Sequence, residues 1–336
     1  MKAVSFSYLK DQTKVVEIPT PTLSDNEVLV KVKYSALDTA FDAVINKTLV
    51  GGFLHKRSDP LLLGWHFSGI IIETGKGIAY DPSSSLKVGS AVFGHLLHDH
   101  KTEQGAISEY IAVPATYCAP KPDTISWELA AASTVEGLTA LQALRDYGNI
   151  KKNPDTESSA LCILINGAGG QVGGAAVQIA KRMGAHVTTI CSTKDVDRVA
   201  GQLGADVVID RSKTLNVLEN FQKGQFDIIF DTPNVFSSLQ TLRYLKPRGR
   251  TIMTVPSCWS FVSGFSWSHL FSRKKVVFVA VHPRAEDLNM LGHWLEDGLT
   301  IDIDSIFPAR DMESALARNR DNRKKGRVVV KVEDAW

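Results

Sequence analysis

Leu161-Cys-Ile-Leu-Ile-Asn-Gly-Ala-Gly-Gly-Gln-Val-Gly173 is the stretch whose reading decides the fold. Its apolar start predicts a short buried strand. Glycines 167, 169, 170 and 173 predict a sharp turn. Val172, Ala176, Ile179, Ala180 and Met183 then recur at helical spacing, and Gly184 stops the helix. A strand, a glycine turn and a helix in that order form a βα unit whose backbone can approach a pyrophosphate. The N–H groups and dipole at the helix start favour that anion. The stretch therefore points to a dinucleotide. Read alone, the same pattern also fits a tight turn with no ligand.

The following chain favours the dinucleotide. Strands are predicted at His186–Cys191, Asp206–Asp210, Phe226–Asp231, Arg250–Val255 and Lys275–Val281, and a helix at Asp195–Leu203. Val- and Ile-rich strands alternating with helices predict a buried parallel sheet covered on both faces. With the first strand they make six, the number of a doubly wound nucleotide fold.

The first 125 residues read differently. Short apolar runs at Lys14–Ile18, Glu27–Tyr34, Leu61–Glu73, Ser90–Gly94 and Ile107–Val113 are separated by Pro, Gly, Asp and Ser. They predict an antiparallel or mixed β domain. Trp127–Tyr147 is helical in pattern, and Lys151–Ser159 is a polar connector. Helices are predicted at Ala285–Gly298 and Met312–Asn319. A closing strand, Arg327–Val332, is expected to return to the N-terminal domain. The domain reading is 1–125 with 282–336, and 126–281.

Composition narrows the function classes. Lys plus Arg number 38 and Asp plus Glu 36, so net charge argues for neither nucleic acid nor a membrane surface. No apolar run approaches the roughly 20 residues of a bilayer span, and the N-terminus has no signal-peptide core. A cytoplasmic protein is expected. Cys118, Cys162, Cys191 and Cys258 are scattered and read as reduced packing residues.

With both halves placed, the chain resembles the medium-chain dehydrogenase/reductase superfamily, closest to its zinc-independent quinone oxidoreductase and enoyl-reductase-like branch. The resemblance rests on Gly64-Trp-His-Phe-Ser-Gly69-Ile-Ile-Ile-Glu73, Gly105-Ala-Ile-Ser-Glu-Tyr110-Ile-Ala-Val, Ala131–Leu144, Lys246-Pro-Arg-Gly249-Arg and Lys325-Gly-Arg-Val-Val-Val330. It implies an α/β protein: a GroES-like β-rich catalytic domain plus a doubly wound Rossmann nucleotide-binding domain. It also implies hydride transfer to a quinone or an α,β-unsaturated carbonyl bound in the cleft between domains. Zinc-dependent members ligate metal near residues 38 and 65. Here those positions read Asp38 and Trp65-His66, and tryptophan is no zinc ligand. No metal is therefore expected. The local cluster His95, His98, Asp99 and His100 is the one metal alternative, and reads better as a polar loop.

The resemblance puts Asp38, Trp65 and Thr139 near the acceptor. Trp65 is read as a stacking surface, and Asp38 with His66 as assisting protonation. The enoyl reductases' proton-donating Tyr, expected near residue 49, is replaced by Thr48-Leu49. Cofactor contacts are expected at Thr139, Gly169, Gly170, Gln171, Val172, Ser192, Lys194, Arg211 and Val255. The second strand ends Cys191-Ser192-Thr193-Lys194. A hydroxyl and an ammonium there suit a ribose 2′-phosphate, with Arg211 as a second cation, so NADPH is expected over NADH. Asp195, one register shift away, would restore the acid that reads ribose hydroxyls.

Acceptor specificity is expected in the loops Asn46–Asp59 and Ser257–Arg273, the latter carrying Trp259, Phe261, Phe265, Trp267 and Phe271. Two alternatives stand beside the reductase. One is a trans-acting enoyl reductase for an acyl-carrier-bound substrate. The other is a non-enzymatic, NADPH- or RNA-binding, zeta-crystallin-like protein, for which the basic run Arg318–Arg327 is the only local support. The apolar edge strand Val276–Val281 predicts a homodimer.

Overall fold

The computed structural model describes residues 1–38, 45, 59–79, 85–97, 103–150, 160–214, 216–254 and 273–336. Val255, Cys258, His98, Asp99, His100, Thr48, Leu49, the connector 151–159 and nearly all of both expected specificity loops lie outside the described residues. The chain divides into two compact units, Met1–Leu138 with His282–Trp336, and Thr139–Val281.

The first unit is built on strands β1 Lys2–Ser7, β2 Gln12–Glu17, β3 Glu27–Ala36, β4 Leu61–Leu62, β5 His66–Thr74, β6 Ala91–His95, β7 Tyr110–Pro114 and β8 Cys118–Pro120. Strands β15 Ile303–Pro308 and β16 Arg327–Lys331 join them from the far end of the chain. A small sheet runs β2-β1-β4, and a larger one β15-β16-β3-β5-β6-β8, with β7 also on β3. Apolar residues on alternate positions of β3 (Val28, Val30, Val32) and β16 (Val328, Val330) enter one core with Phe67, Trp65 and Ile111. That period of two is what a sheet with one buried face requires.

Helix α1, Trp127–Gln142, continues as a wider π turn over Ala143–Tyr147. Helices α3 Ala285–Glu296 and α4 Met312–Arg320 complete the first unit. Helix α2 (Gln171–Arg182) belongs to the second unit.

The second unit is a six-stranded sheet of β9 Cys162–Asn166, β10 His186–Cys191, β11 Val207–Asp210, β12 Phe226–Asp231, β13 Leu245–Met253 and β14 Lys275–Phe278. Its order is β11-β10-β9-β12-β13-β14, and every described pairing is parallel. This is the doubly wound arrangement, with the order reversing between β9 and β12. Leu164, Ile190, Phe226, Ile229 and Leu245 pack together on one face.

The structure also differs from the sequence expectations. The run Leu61–Glu73 is two strands in two sheets, broken at Gly64, whose φ is +90°. Strands β8 and β15 carry no clear local signal; β15 has no fully buried residue and pairs in parallel with β16. Strand β13 begins five residues earlier than expected, and β14 stops at Phe278. Among the described residues, no helix is long and apolar enough to cross a membrane.

Candidate functional site

In the first unit, register brings two histidines together. His66 opens β5 and lies opposite His95, the last residue of β6. Directly paired residues on antiparallel strands carry side chains on the same face. The two imidazoles stack accordingly, with centroids 4.5 Å apart and planes 8° apart. On its other edge His66 pairs with Ala36 of β3. Two residues beyond, Asp38 turns its carboxylate onto the ring, 3.1 Å from Nε2. Thr134 of α1 meets the other nitrogen, Oγ1 lying 2.9 Å from Nδ1. Asp38 is 6 % exposed, His66 3 % and Thr134 0 %.

Thr134 Oγ1 lies 2.9 Å from the Ala131 carbonyl and 2.9 Å from His66 Nδ1, and its hydroxyl has one proton to donate. If that proton goes to the carbonyl, Oγ1 accepts from Nδ1–H; if it goes to Nδ1, the ring carries its own proton on Nε2. In either arrangement the short contact between His66 Nε2 and Asp38 Oδ2 is a hydrogen bond with a proton between the two atoms.

Trp65 is 1 % exposed and sits in the hydrophobic core beside His66. Tryptophan offers zinc no ligand, and both nitrogens of His66 are engaged by protein groups. The residues at 38, 65 and 66 therefore do not fit a catalytic zinc with three protein ligands. Among the described residues, no group of three potential metal ligands occurs elsewhere.

In the second unit the glycine turn has the form a dinucleotide needs. Gly167 adopts φ +84°, and a Cβ there would meet Pro233 Cδ at 2.8 Å. At Gly173 a Cβ would run into the backbone of Gly167, whose carbonyl carbon would lie 2.7 Å away. Helix α2 then starts at Gln171 and Val172, with Gly170 at its cap and no side chain capping it. Its first N–H groups remain available to an anion. These residues fit a pyrophosphate.

Strands β10 and β11 pair with Cys191 beside Asp210. The segments that follow, Ser192–Asp195 and Arg211, therefore leave the sheet at neighbouring carboxyl ends. Ser192 Oγ donates to Asp195 Oδ2 at 2.6 Å, and the Asp195 carboxylate packs on Gly169. Lys194 and Arg211 are exposed, and neither makes a hydrogen bond or ion pair among the described residues. Thr139, on α1, is half-buried.

Several residues of these sites carry weak local signals. Thr134 and His95 complete the histidine centre. Arg198 donates to the Gly169 carbonyl at 2.8 Å. At the point where strand order reverses, Asn166 Nδ2 donates to Asp231 Oδ1 at 2.8 Å. Burial raises the Asp231 carboxyl above its ordinary range, against the pull of its hydrogen bonds. Burial also pushes the Cys118 thiol up to about 12. Burial first, and then the Asp195 and Asp210 carboxylates, push Cys191 up to about 11. Thiols held that high are poor nucleophiles at neutral pH.

The basic run near the C-terminus is largely spent on local pairing. Arg318 is bound by Asp304 at 2.7 Å and by Asp321 at 3.1 Å, Arg323 by Asp321 at 2.9 Å, and Arg327 is buried against Glu136.

Residues 24–123 match the alcohol dehydrogenase GroES-like domain family. Residues 203–330 match the zinc-binding dehydrogenase family. The trans-enoyl reductase pgmF of Aspergillus terreus is 29 % identical over 334 residues, covering 94 % of this chain and 88 % of its own. The chloroplast envelope quinone oxidoreductase homolog of Arabidopsis thaliana is 28 % identical over 320 residues, covering 94 % and 92 %. The solved structure of the quinone oxidoreductase from Coxiella burnetii superposes with a TM-score of 0.77 at 25 % identity, over 99 % of both chains.

Proposed function

This chain belongs to the medium-chain dehydrogenase/reductase superfamily, in its quinone-oxidoreductase-like branch, and from that premise we propose that it is an NADPH-dependent, zinc-independent reductase of quinones or α,β-unsaturated carbonyls. An oxidoreductase using a nicotinamide cofactor follows from the family itself; the choice of NADPH, of acceptor class and of a metal-free mechanism is the proposal.

The observation that carries it is the buried Asp38–His66–Thr134 chain. Reduction of either acceptor class consumes one hydride and one proton. The nicotinamide, when bound, supplies the hydride. The protein must bind, orient, exclude water and deliver the proton. Gly169, Gly170, Gln171 and Val172 would hold the pyrophosphate. Lys194 and Arg211, with Ser192 beside them, would hold the 2′-phosphate, while Asp195 is engaged by Ser192. On family resemblance Thr139 and Val255 would also contact the cofactor. Asp38 and His66 would give up their shared proton to the reduced acceptor, and Thr134 would fix the ring so that only Nε2 exchanges it. Trp65, expected as a stacking surface for the acceptor, is 1 % exposed and would serve in that role only where acceptor binding uncovers its indole.

The test is turnover of NADPH and NADH, followed by absorbance, against quinones and α,β-enals with and without a chelator. Chelator-insensitive turnover preferring NADPH is expected. Loss of activity on chelation, or a preference for NADH, would contradict the proposal.

Resemblance to a trans-enoyl reductase supports a second acceptor, an enoyl group on a carrier protein; activity on a carrier-bound enoyl thioester but on no free enal would favour it. RNA binding has little support, given the pairing of the basic run. A cytoplasmic location stays part of the proposal. So does a homodimer, since β14 is an apolar strand at a sheet edge. Light scattering should read twice the 36.7 kDa chain mass, and a monomer would count against it.

A further inference from the structure

The Asp38 carboxylate reaches His66 from a short segment past the end of β3, and that segment is held to an unusual degree. The Leu37 N–H donates to the Val328 carbonyl at 3.0 Å. The Leu37 carbonyl accepts from Arg327 Nη1 at 2.7 Å. The Asp38 carbonyl accepts from Asn319 Nδ2 at 3.2 Å. Three backbone groups of Leu37 and Asp38 are thus fixed by β16 and α4. Of the three partners, only Arg327 is charged, and it is 5 % exposed.

Arg327 is paired with Glu136, which is wholly buried on α1. The pairing is lopsided. Nε lies 2.6 Å and Nη2 2.5 Å from the same oxygen, Oε1. Glu136 Oε2 has no hydrogen-bond partner among the described residues. An ion pair serving stability alone would be expected to close as a two-on-two fork, because that geometry is the strong one. Here the guanidinium is turned so that Nη1 reaches Leu37. Burying such a pair seldom adds net stability over apolar residues of similar size, so its position asks for another account.

The contacts close into a circuit. His66 is held at Nδ1 by Thr134 of α1. Two residues on, Glu136 of the same helix holds Arg327. Arg327 holds Leu37, and Asp38 returns to His66 at Nε2. One helix thereby sets both sides of the Asp38–His66 pair. We infer that Arg327 and Glu136 are positioning residues, a buried clamp that fixes the distance between Asp38 and His66. The clamp acts through the backbone of Leu37 and touches no reacting atom. Its catalytic consequence rests on the proposed proton-donor role of the pair, but its effect on the pair's geometry does not.

The double variant Arg327→Met with Glu136→Leu removes both charges together, which avoids leaving either buried alone. It is compared with Arg327→Lys, which keeps a cation but loses the fork. Three readouts separate the cases: thermal unfolding, NADPH affinity by fluorescence, and the ¹⁵N shifts of the His66 ring. In the double variant, unfolding within a few degrees of wild type and NADPH affinity within about threefold are expected. The difference between the His66 Nδ1 and Nε2 shifts should change, and kcat should fall about 10- to 30-fold with little change in acceptor KM, as for loss of proton-transfer efficiency alone. Arg327→Lys should recover part of both signals. A folded double variant with unaltered His66 shifts would overturn the clamp. If the double variant does not fold, Arg327→Lys with unaltered shifts overturns it equally. Altered shifts with unaltered kcat would uphold the clamp and refute the proton-donor reading instead.

Discussion

Replacing His66 with Phe is expected to lower kcat by about 10²- to 10⁴-fold, the range that a positioned proton donor contributes. Phe keeps a flat ring opposite His95 and fills the same buried space. It has no proton to share with Asp38 and no ring nitrogen for Thr134. Asp38 then stays buried without its ring partner, which costs about 1–3 kcal/mol of stability. The fold should survive that, and thermal unfolding checks it. NADPH affinity should not change, because the glycine turn belongs to the other compact unit. A drop in kcat with unchanged cofactor affinity would identify a lost proton donor. Unchanged kcat in a folded His66→Phe protein would remove the pair from the mechanism.

The second large effect concerns cofactor choice. Lys194→Ala combined with Arg211→Ala is expected to weaken NADPH binding about 100-fold and leave NADH almost untouched. A hydrogen bond between charged groups contributes about 1.5–3 kcal/mol, and each 1.4 kcal/mol is about tenfold in affinity. Two such contacts at the low end, partly screened because both cations are exposed, give that figure. Neither cation has a partner to stabilise among the described residues, so the fold should not respond. Equal loss for both cofactors would mean that these residues do not read the 2′-phosphate. No loss at all would leave them as solvated loop residues, with Asp195 the better candidate to read a ribose hydroxyl.

How far the sequence reached follows from the range of the contacts involved. The strand–turn–helix at Leu161–Met183 is local, since strand period, glycine turn and helical spacing all lie within about two dozen residues, and the structure has it there. The parallel strands that follow carry the same local signal. The small strands β8 and β15 do not, because their places are given by partners distant in the chain. The same holds within the site. Asp38 and His66 follow from family position, yet the groups that complete them are separated from them by long stretches. Thr134 is 68 residues from His66, and Arg327 is 191 residues from Glu136. A signal for part of this did exist. Glu136 is the one charged residue of α1 after Glu128, and an acid facing a core must find a partner. Nothing local says that the partner is Arg327, or that it also holds Leu37.

Label transfer tests the central claim most directly. The enzyme is given an α,β-enal with NADPH deuterated at the transferring carbon, in ordinary water, and the product is analysed by mass spectrometry and NMR. The account predicts one deuterium at the β-carbon and a solvent-derived hydrogen at the α-carbon. A reduced product that carries no deuterium, although the deuterated NADPH has been consumed, would contradict hydride transfer to this class of acceptor.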